Sequence, residues 1–175
     1  MGWRGYNHLL NVFEVRIAMM LRVRECAETP EGGVRISYDD LGELYDNQNM
    51  LSSLRFVYFS ILHKHRPLLS MCDVMPGIHV IPLLTAEICC VSLEQIIGSE
   101  NRSRDFDVCF RPVNRRLRDR WCHIARMMRN GEPLPPVDLI STHLGYFVRD
   151  GNHRVSVSRA IKLSDIDARI VAREM

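Results

Sequence analysis

The order of the elements predicted after residue 115 constrains the fold more than any other feature of this sequence. An amphipathic helix is predicted within 115–131, followed by strands at 137–140 and 146–149. A helix from about 152 to 162 and a strand at 166–170 complete the series. Helices and strands interleaved in this way predict an α/β (α+β) domain, in which helices cover a small mixed sheet.

Two local patterns support this order. The first helix has a stripe of apolar residues at helical spacing, with Leu117 and Trp121 among them, and Gly131 is a stop signal after it. Residues 166–170 alternate apolar and polar strictly, as a half-buried strand does. These patterns predict a small α/β unit from residue 117 on.

The first 90 residues are less regular. Apolar residues recur at helical spacing over 8–25, and a second helix is predicted to begin near Ser37. Residues 47–90 are rich in apolar side chains but fit no single period. We therefore expect residues 1–90 to form an N-terminal extension that is mainly helical.

Composition favours a globular protein outside the membrane. The chain has 175 residues, of which 46% are hydrophobic and 25% are charged. The apolar stretch 78–93 is interrupted by Pro82 and Glu87, and it is shorter than the roughly 18 apolar residues of a membrane span. No signal-peptide pattern is found in the first 25 residues. A cytoplasmic protein with no membrane partner is the expectation.

The six cysteines form no C-x-x-C pair. Cys72 with His63 and His65 could be drawn as a metal site, but tetrahedral sites usually show two close ligand pairs. Reduced thiols that serve as small apolar residues are the interpretation that the spacing favours.

Arginines are concentrated in the segment 102–129. It contains nine arginines and three aspartates, while the whole chain has a net charge of only +2. Such a segment indicates an anionic partner, which could be phosphate, a nucleotide or a nucleic acid. The alternative is a solvated helix face with internal ion pairs.

The turn between the predicted strand at 146–149 and the helix that follows contains Asp150, Gly151, Asn152, His153 and Arg154. A helix N-terminus has about four amide groups without intrahelical partners, and it is the positive end of the helix dipole. Gly151 leaves room for a bulky anion, and a guanidinium in the first turn can bind phosphate oxygens in a bidentate manner. The turn therefore predicts a phosphate-binding site.

Two side chains of this turn have open roles. Asp150 could cap the helix, hold a divalent cation or act as a base, and His153 could titrate, donate to a phosphate oxygen or pack. Asp-Gly and Asn are also ordinary turn and capping residues, so a purely structural turn is the alternative.

The segment "IARMMRNGEPLPPVDLISTHLGYFVRDGNHRVSVSRAIKLSDIDARIV" resembles the ParB/sulfiredoxin-like domain over its whole length. The matching series is a helix ending at a glycine, a proline-marked strand, a G-Y strand, a G-x-x-R turn that opens a helix, and an I-x-A-x-I strand. Upstream, "VSLEQIIGSENRSRDF" is similar to the first box of the family, so the resemblance covers roughly residues 91–173. It implies that residues 91–175 form a ParB/sulfiredoxin-like domain.

In that family the G-x-x-R turn holds the phosphates of a nucleotide, CTP in ParB proteins and ATP in sulfiredoxins and free-serine kinases. The resemblance therefore implies a nucleoside triphosphate as ligand, with Mg²⁺ as an accompanying ion. Gly151 and Arg154 match the motif, and Asn152 and His153 occupy its variable middle.

The sequence departs from the family pattern at the middle of the turn. ParB proteins have Glu-Arg in place of Asn152 and His153. Sulfiredoxins have their working cysteine at the position of Asn152, so peroxiredoxin repair is not expected. No helix-turn-helix follows the segment before Met175, so centromere reading of the ParB kind is not expected either.

Three functions are consistent with these observations. The first is a Mg²⁺-assisted phosphotransferase, of the free-serine-kinase kind, or a nucleotide hydrolase. Arg102 and Arg104 would close on the phosphates from a facing loop, and Asp150, Glu94 and His153 are the candidate catalytic residues, with Asp150 as the metal ligand.

The second function, favoured slightly over a metabolic kinase, is a ParB-like module that binds a nucleotide or DNA, with the segment 102–129 along the phosphate backbone. The third is an interaction protein whose N-terminal helix and apolar middle region pair with another chain, such as a second copy in a homodimer.

Overall fold

The computed structural model describes residues 41–50, 68–86 and 88–175. The helices are α1 (41–50), α2 (Met71–Val74), α3 (Arg118–Arg129) and α4 (Asn152–Ala160). The strands are β1 (Leu69–Ser70), β2 (Val80–Pro82), β3 (Ile88–Ser92), β4 (Ile96–Ser99), β5 (Val137–Thr142), β6 (Gly145–Asp150) and β7 (Asp165–Glu174). The helix predicted at 8–25 lies outside the described residues.

The strands form one mixed sheet. Its order is β1-β4-β6-β5-β7-β2, and β3 also pairs with β7. The pairs β1–β4, β4–β6 and β5–β7 are parallel, whereas the β5–β6 hairpin and the pairs of β7 with β2 and β3 are antiparallel. The predicted α/β (α+β) class with a mixed sheet is therefore confirmed in its general form.

The sheet includes more of the chain than the predicted domain. The boundary expected after residue 90 falls inside β3, and β1 and β2 both precede it. These strands pair with partners far away in the sequence, such as Ile81 with Arg173. A local pattern does not contain such pairings, which explains why residues 68–90 fit no single period.

Both faces of the sheet are covered. One face carries a buried cluster that includes Leu139, Val148 and the α4 residue Val155. On the other face, Ile140 and Phe147 pack with Met71 and other apolar residues from the segment that contains α2. Because neighbouring residues of β5 and β6 point to opposite faces, each strand serves both clusters.

A third cluster fixes α3 against α4. Trp121 is fully buried, and its indole N–H donates to Ser156 Oγ at 2.9 Å. The ring of Tyr45 in α1 meets the Trp121 ring edge-on at 5.5 Å between centroids. The predicted apolar stripe of α3 therefore packs against α4. The preceding residue, Arg120, lies close enough to His153 of α4 for its charge to lower the pKa of that imidazole.

The structure bears on two expectations from composition, which concern membrane spans and the state of the cysteines. Among the described residues, none of the helices has the length and apolar character needed to cross a membrane. Cys72, Cys89, Cys90 and Cys122 are free thiols, as predicted. Cys109 is disulfide-bonded, so the prediction of a reduced thiol is wrong at that position.

Candidate functional site

The turn between β6 and α4 requires glycine at position 151. Gly151 has φ +102°, a conformation that side chains with a Cβ rarely adopt. A Cβ added at this residue would lie 2.6 Å from Val137 Cγ1. The strand can therefore turn into the helix at this point only because position 151 has no side chain.

Among the residues that the structure describes, no side chain caps the N-terminus of α4. The first intrahelical hydrogen bond runs from Val155 N to Gly151 O at 3.0 Å. The amide groups of Asn152, His153 and Arg154 precede that bond, so they are donors that the helix itself does not use. Together with the helix dipole they make this end of α4 attractive to an anion.

The Arg154 guanidinium contacts protein acceptors. Its Nη1 donates to the carbonyl oxygens of Pro135 and Pro136, and its Nη2 lies 2.6 Å from Asp150 Oδ2. The Arg154 side chain is only 10% exposed, whereas that of Asp150 is 66% exposed. This arrangement differs from the prediction that Arg154 binds a phosphate, because its guanidinium already holds the segment Pro135–Pro136, which precedes β5, against α4.

Beside these amides, two buried polar atoms have no hydrogen-bond partner in the described part of the chain. They are Asn152 Oδ1 and His153 Nδ1, and the whole Asn152 residue is 7% exposed. A buried polar atom left unpaired costs about 1–3 kcal/mol, so such atoms normally bond to water or to a ligand. Both occur in consecutive residues of one helix turn.

His153 is held in its neutral form. Burial, assisted by the positive charges of Arg120 and Arg102, lowers its pKa to about 4, while Asp105 acts weakly in the opposite direction. Its ring meets the Phe106 ring edge-on, with 5.4 Å between centroids. The charges of both arginines therefore act on the imidazole at the N-terminus of α4.

Arg102 lies in the loop after β4, and this loop is anchored to β6. Arg102 N donates to Ser99 Oγ at 3.1 Å, and that hydroxyl donates in turn to the Val148 carbonyl of β6 at 3.2 Å. The Arg102 side chain is 59% exposed and pairs with Asp105 at 2.9 Å. Arg104 is exposed in the same loop. The closure of Arg102 and Arg104 on a phosphate stays a prediction.

Arg120 was not singled out from the arginine-rich segment by the sequence. The signal that could have identified it is its position next to Trp121, because a buried tryptophan on the apolar stripe ties that turn of α3 to α4. The remaining exposed arginines of the segment 115–120 are Arg115, Arg116 and Arg118.

Glu94 lies at the other end of α4. It belongs to a short 3-10 turn, Leu93–Gln95, whose Leu93 carbonyl accepts a hydrogen bond from Arg159 near the C-terminus of α4. Ser92 caps this turn by accepting a hydrogen bond from Glu94 N. The structure therefore does not bring Glu94 together with Asp150 and His153.

The residues at the turn do not form a protein-made metal site. Asp150 was predicted to hold a cation, but its Oδ2 is bonded to Arg154. Across the described ranges, no group of three or more histidine, cysteine, aspartate or glutamate side chains could hold a metal ion. A Mg²⁺ ion at this turn would depend on ligand oxygens, with Asp150 as a single carboxylate beside them.

Comparison with known proteins gives no name for this site, because no family model, no curated protein and no solved structure matches the chain.

Proposed function

We propose that the N-terminus of α4 binds the phosphate groups of a nucleotide. The observation that carries this proposal is the first turn of α4, where three amides and two polar atoms, Asn152 Oδ1 and His153 Nδ1, have no partner within residues 41–50, 68–86 and 88–175. A helix N-terminus with free amides favours a phosphate over a neutral group. Arg102 and Arg120 add positive charge that acts on His153 of this turn.

A nucleotide fits the turn better than inorganic phosphate does. The backbone amides can only donate hydrogen bonds, which suits phosphate oxygens. Asn152 Oδ1 can only accept, so it needs a donor such as a sugar hydroxyl or a base amine. A ligand that carries both an anionic group and a hydroxyl or amine donor would satisfy both kinds of group.

Binding is favoured over turnover by the positions of the predicted catalytic residues. Glu94 lies at the far end of α4, and the Asp150 carboxylate is paired with Arg154. His153, with its pKa lowered to about 4, is a weak base. We therefore rank a nucleotide-binding module above the phosphotransferase or hydrolase alternative.

Calorimetric titration of the protein with ATP, CTP, GTP and UTP, with and without Mg²⁺, tests the proposal. We expect at least one nucleotide to bind, and Arg102→Ala and Arg120→Ala each to weaken its affinity by roughly 10- to 150-fold, as expected for hydrogen bonds to a charged group. Arg126→Ala is the matched control, because this exposed arginine lies in the last turn of α3.

Two outcomes would contradict the proposal. One is the failure of every nucleotide to bind. The other is an equal loss of affinity in all three arginine variants, because a uniform loss reports net charge and not a site on α4.

A nucleic acid is a second candidate ligand. Four exposed arginines lie within six consecutive residues, so they could contact a phosphate backbone. They are Arg115, Arg116, Arg118 and Arg120. Filter binding to duplex and single-stranded DNA between low and physiological salt tests this, and we expect affinity to fall steeply as salt rises. Absence of binding at low salt would exclude this candidate and leave the mononucleotide.

A further inference from the structure

Strands β2 and β3 form one edge of the sheet. Both pair with β7, whose other side pairs with β5. In the part of the chain that the structure describes, β3 has no second ladder, so its outer peptide groups face away from the sheet. An open edge of this kind is a template for pairing with another strand.

This edge is apolar and exposed. Ile81, Leu84, Ile88, Cys89 and Cys90, here named the edge patch, are all exposed, and Leu84 and Ile88 reach 104% and 67%. A single exposed apolar residue is ordinary, whereas five within ten residues of one sheet edge indicate an interaction surface.

β3 lacks the charged residues and prolines that often protect an edge strand from pairing. Residues 80–92 contain Glu87 as their single charged residue, and no lysine or arginine. Pro82 removes one amide from β2, so β2 is a poor partner for a further strand. The five residues of β3 contain no proline and no charge. Pairing is therefore directed to β3.

We propose that the edge patch binds the same edge of a second copy of this chain, with the two β3 strands antiparallel about a two-fold axis. In such a pair every residue faces its own equivalent or a near neighbour, so charges on the strand would repel each other. β3 contains no charged residue, so two copies of it can pair without this repulsion. The pairing would join two sheets into one and bury Ile88 and the neighbouring thiols.

A glutamate at position 88 tests the pairing without disturbing the sheet. Ile88 lies opposite Arg169 in the β3–β7 ladder, so Ile88→Glu gains an opposite charge within its own chain. Across the two-fold axis it adds like charges and removes two buried isoleucines. By light scattering coupled to size-exclusion chromatography, we expect a dimer for the natural sequence and a dimer dissociation constant raised at least about tenfold for the variant.

Leu163→Glu is the matched control, because Leu163 is 48% exposed and lies outside the edge patch. We expect this variant to dimerise like the natural sequence. A monomer at about 100 μM for the natural sequence, or a dimer that Ile88→Glu leaves intact, would overturn the proposal.

The thiols of the edge patch give an independent readout. Antiparallel pairing of β3 brings Cys89 or Cys90 of one copy close to those of the other, so mild oxidation should cross-link the dimer. The double variant Cys89→Ser, Cys90→Ser should lose the cross-link, and Cys72→Ser, at an exposed cysteine in α2, should retain it.

A cross-link that survives the double variant would overturn the proposal. So would a monomer whose Cys89 and Cys90 resist alkylation, because the edge would then be covered by another segment or another protein.

Discussion

Arg154 Nη2 lies 2.6 Å from Asp150 Oδ2, and this pair joins the last residue of β6 to the first turn of α4 across the glycine between them. The Asp150 carboxylate is therefore bonded to the guanidinium that a phosphate at this turn would otherwise bind. The relationship makes Asp150 a negative charge next to a proposed anion site, and two substitutions separate its role from that of Arg154.

Asp150→Asn should increase the affinity for a nucleotide by about three- to tenfold, because it removes a negative charge near the positive end of α4. Folding stability should change by less than about 1 kcal/mol, since the pair is exposed on the Asp150 side. Calorimetric titration without Mg²⁺ checks the affinity. Asp165→Asn, at the start of β7, is the matched control for net charge. A decrease in affinity would instead identify Asp150 as a ligand-binding residue.

Arg154→Ala should destabilise the protein by about 2–4 kcal/mol, because it removes a buried guanidinium and leaves the carbonyls of Pro135 and Pro136 without their donor. Arg154→Lys should recover only part of this stability, since an ammonium group cannot reproduce the planar fork. Urea unfolding measures both. Unchanged stability together with lost nucleotide binding would show that Arg154 binds the ligand and does not hold Pro135 and Pro136 in place.

Gly151→Ala should reduce stability more than Gly131→Ala does. Both glycines have positive φ, +102° and +68°, but a Cβ at Gly131 meets nothing within 4 Å. Gly131→Ala should therefore cost only the conformational term of about 1 kcal/mol, and Gly151→Ala about 1–3 kcal/mol more because of Val137 Cγ1. Thermal unfolding compares the two, and equal losses would show that Val137 moves aside without cost.

His153 should make stability depend on pH. Its pKa is lowered from 6.5 to about 4 in the folded protein, so between these values the unfolded chain binds the additional proton. Stability contributed by the neutral ring is complete above about pH 6.5 and is lost as the pH falls toward 4. We expect His153→Phe to flatten this part of the curve in unfolding measurements from pH 4 to 7, and an unchanged curve would contradict this origin.

A bound phosphate should shift the same group in the opposite direction. An anion at the first turn of α4 favours the imidazolium form, so the pKa of His153 should rise when pyrophosphate or a nucleotide is added. NMR titration of the imidazole resonances measures the shift. A pKa that stays the same at saturating ligand would place the ligand away from His153.

Local signals in the sequence were sufficient for the elements around the turn. Gly151 with its flanking polar residues marks the passage from strand to helix, and alternation identifies the strand at 166–170. The structure confirms strands and a helix there and extends the strand to Asp165–Glu174. These elements were predictable because their patterns depend on neighbours in the chain.

The partners of the side chains were not predictable in the same way. Arg154 was expected to face a ligand, yet its acceptors include carbonyls 18 and 19 residues earlier. The separation of Glu94 from the turn and the pairing of β2 and β3 with β7 also depend on contacts distant in sequence. A motif specifies residue types at a turn, and only the assembled sheet decides which atoms meet.

The central role of β7 has a consequence for how the protein is made. The ribosome releases β2, β3 and β5 before β7, although β2 and β3 find their ladder partners in β7 within the described part of the chain. Until β7 emerges, apolar segments such as 80–92 stay open to mispairing with other nascent chains. We therefore expect chaperone capture of translation intermediates stalled before residue 165.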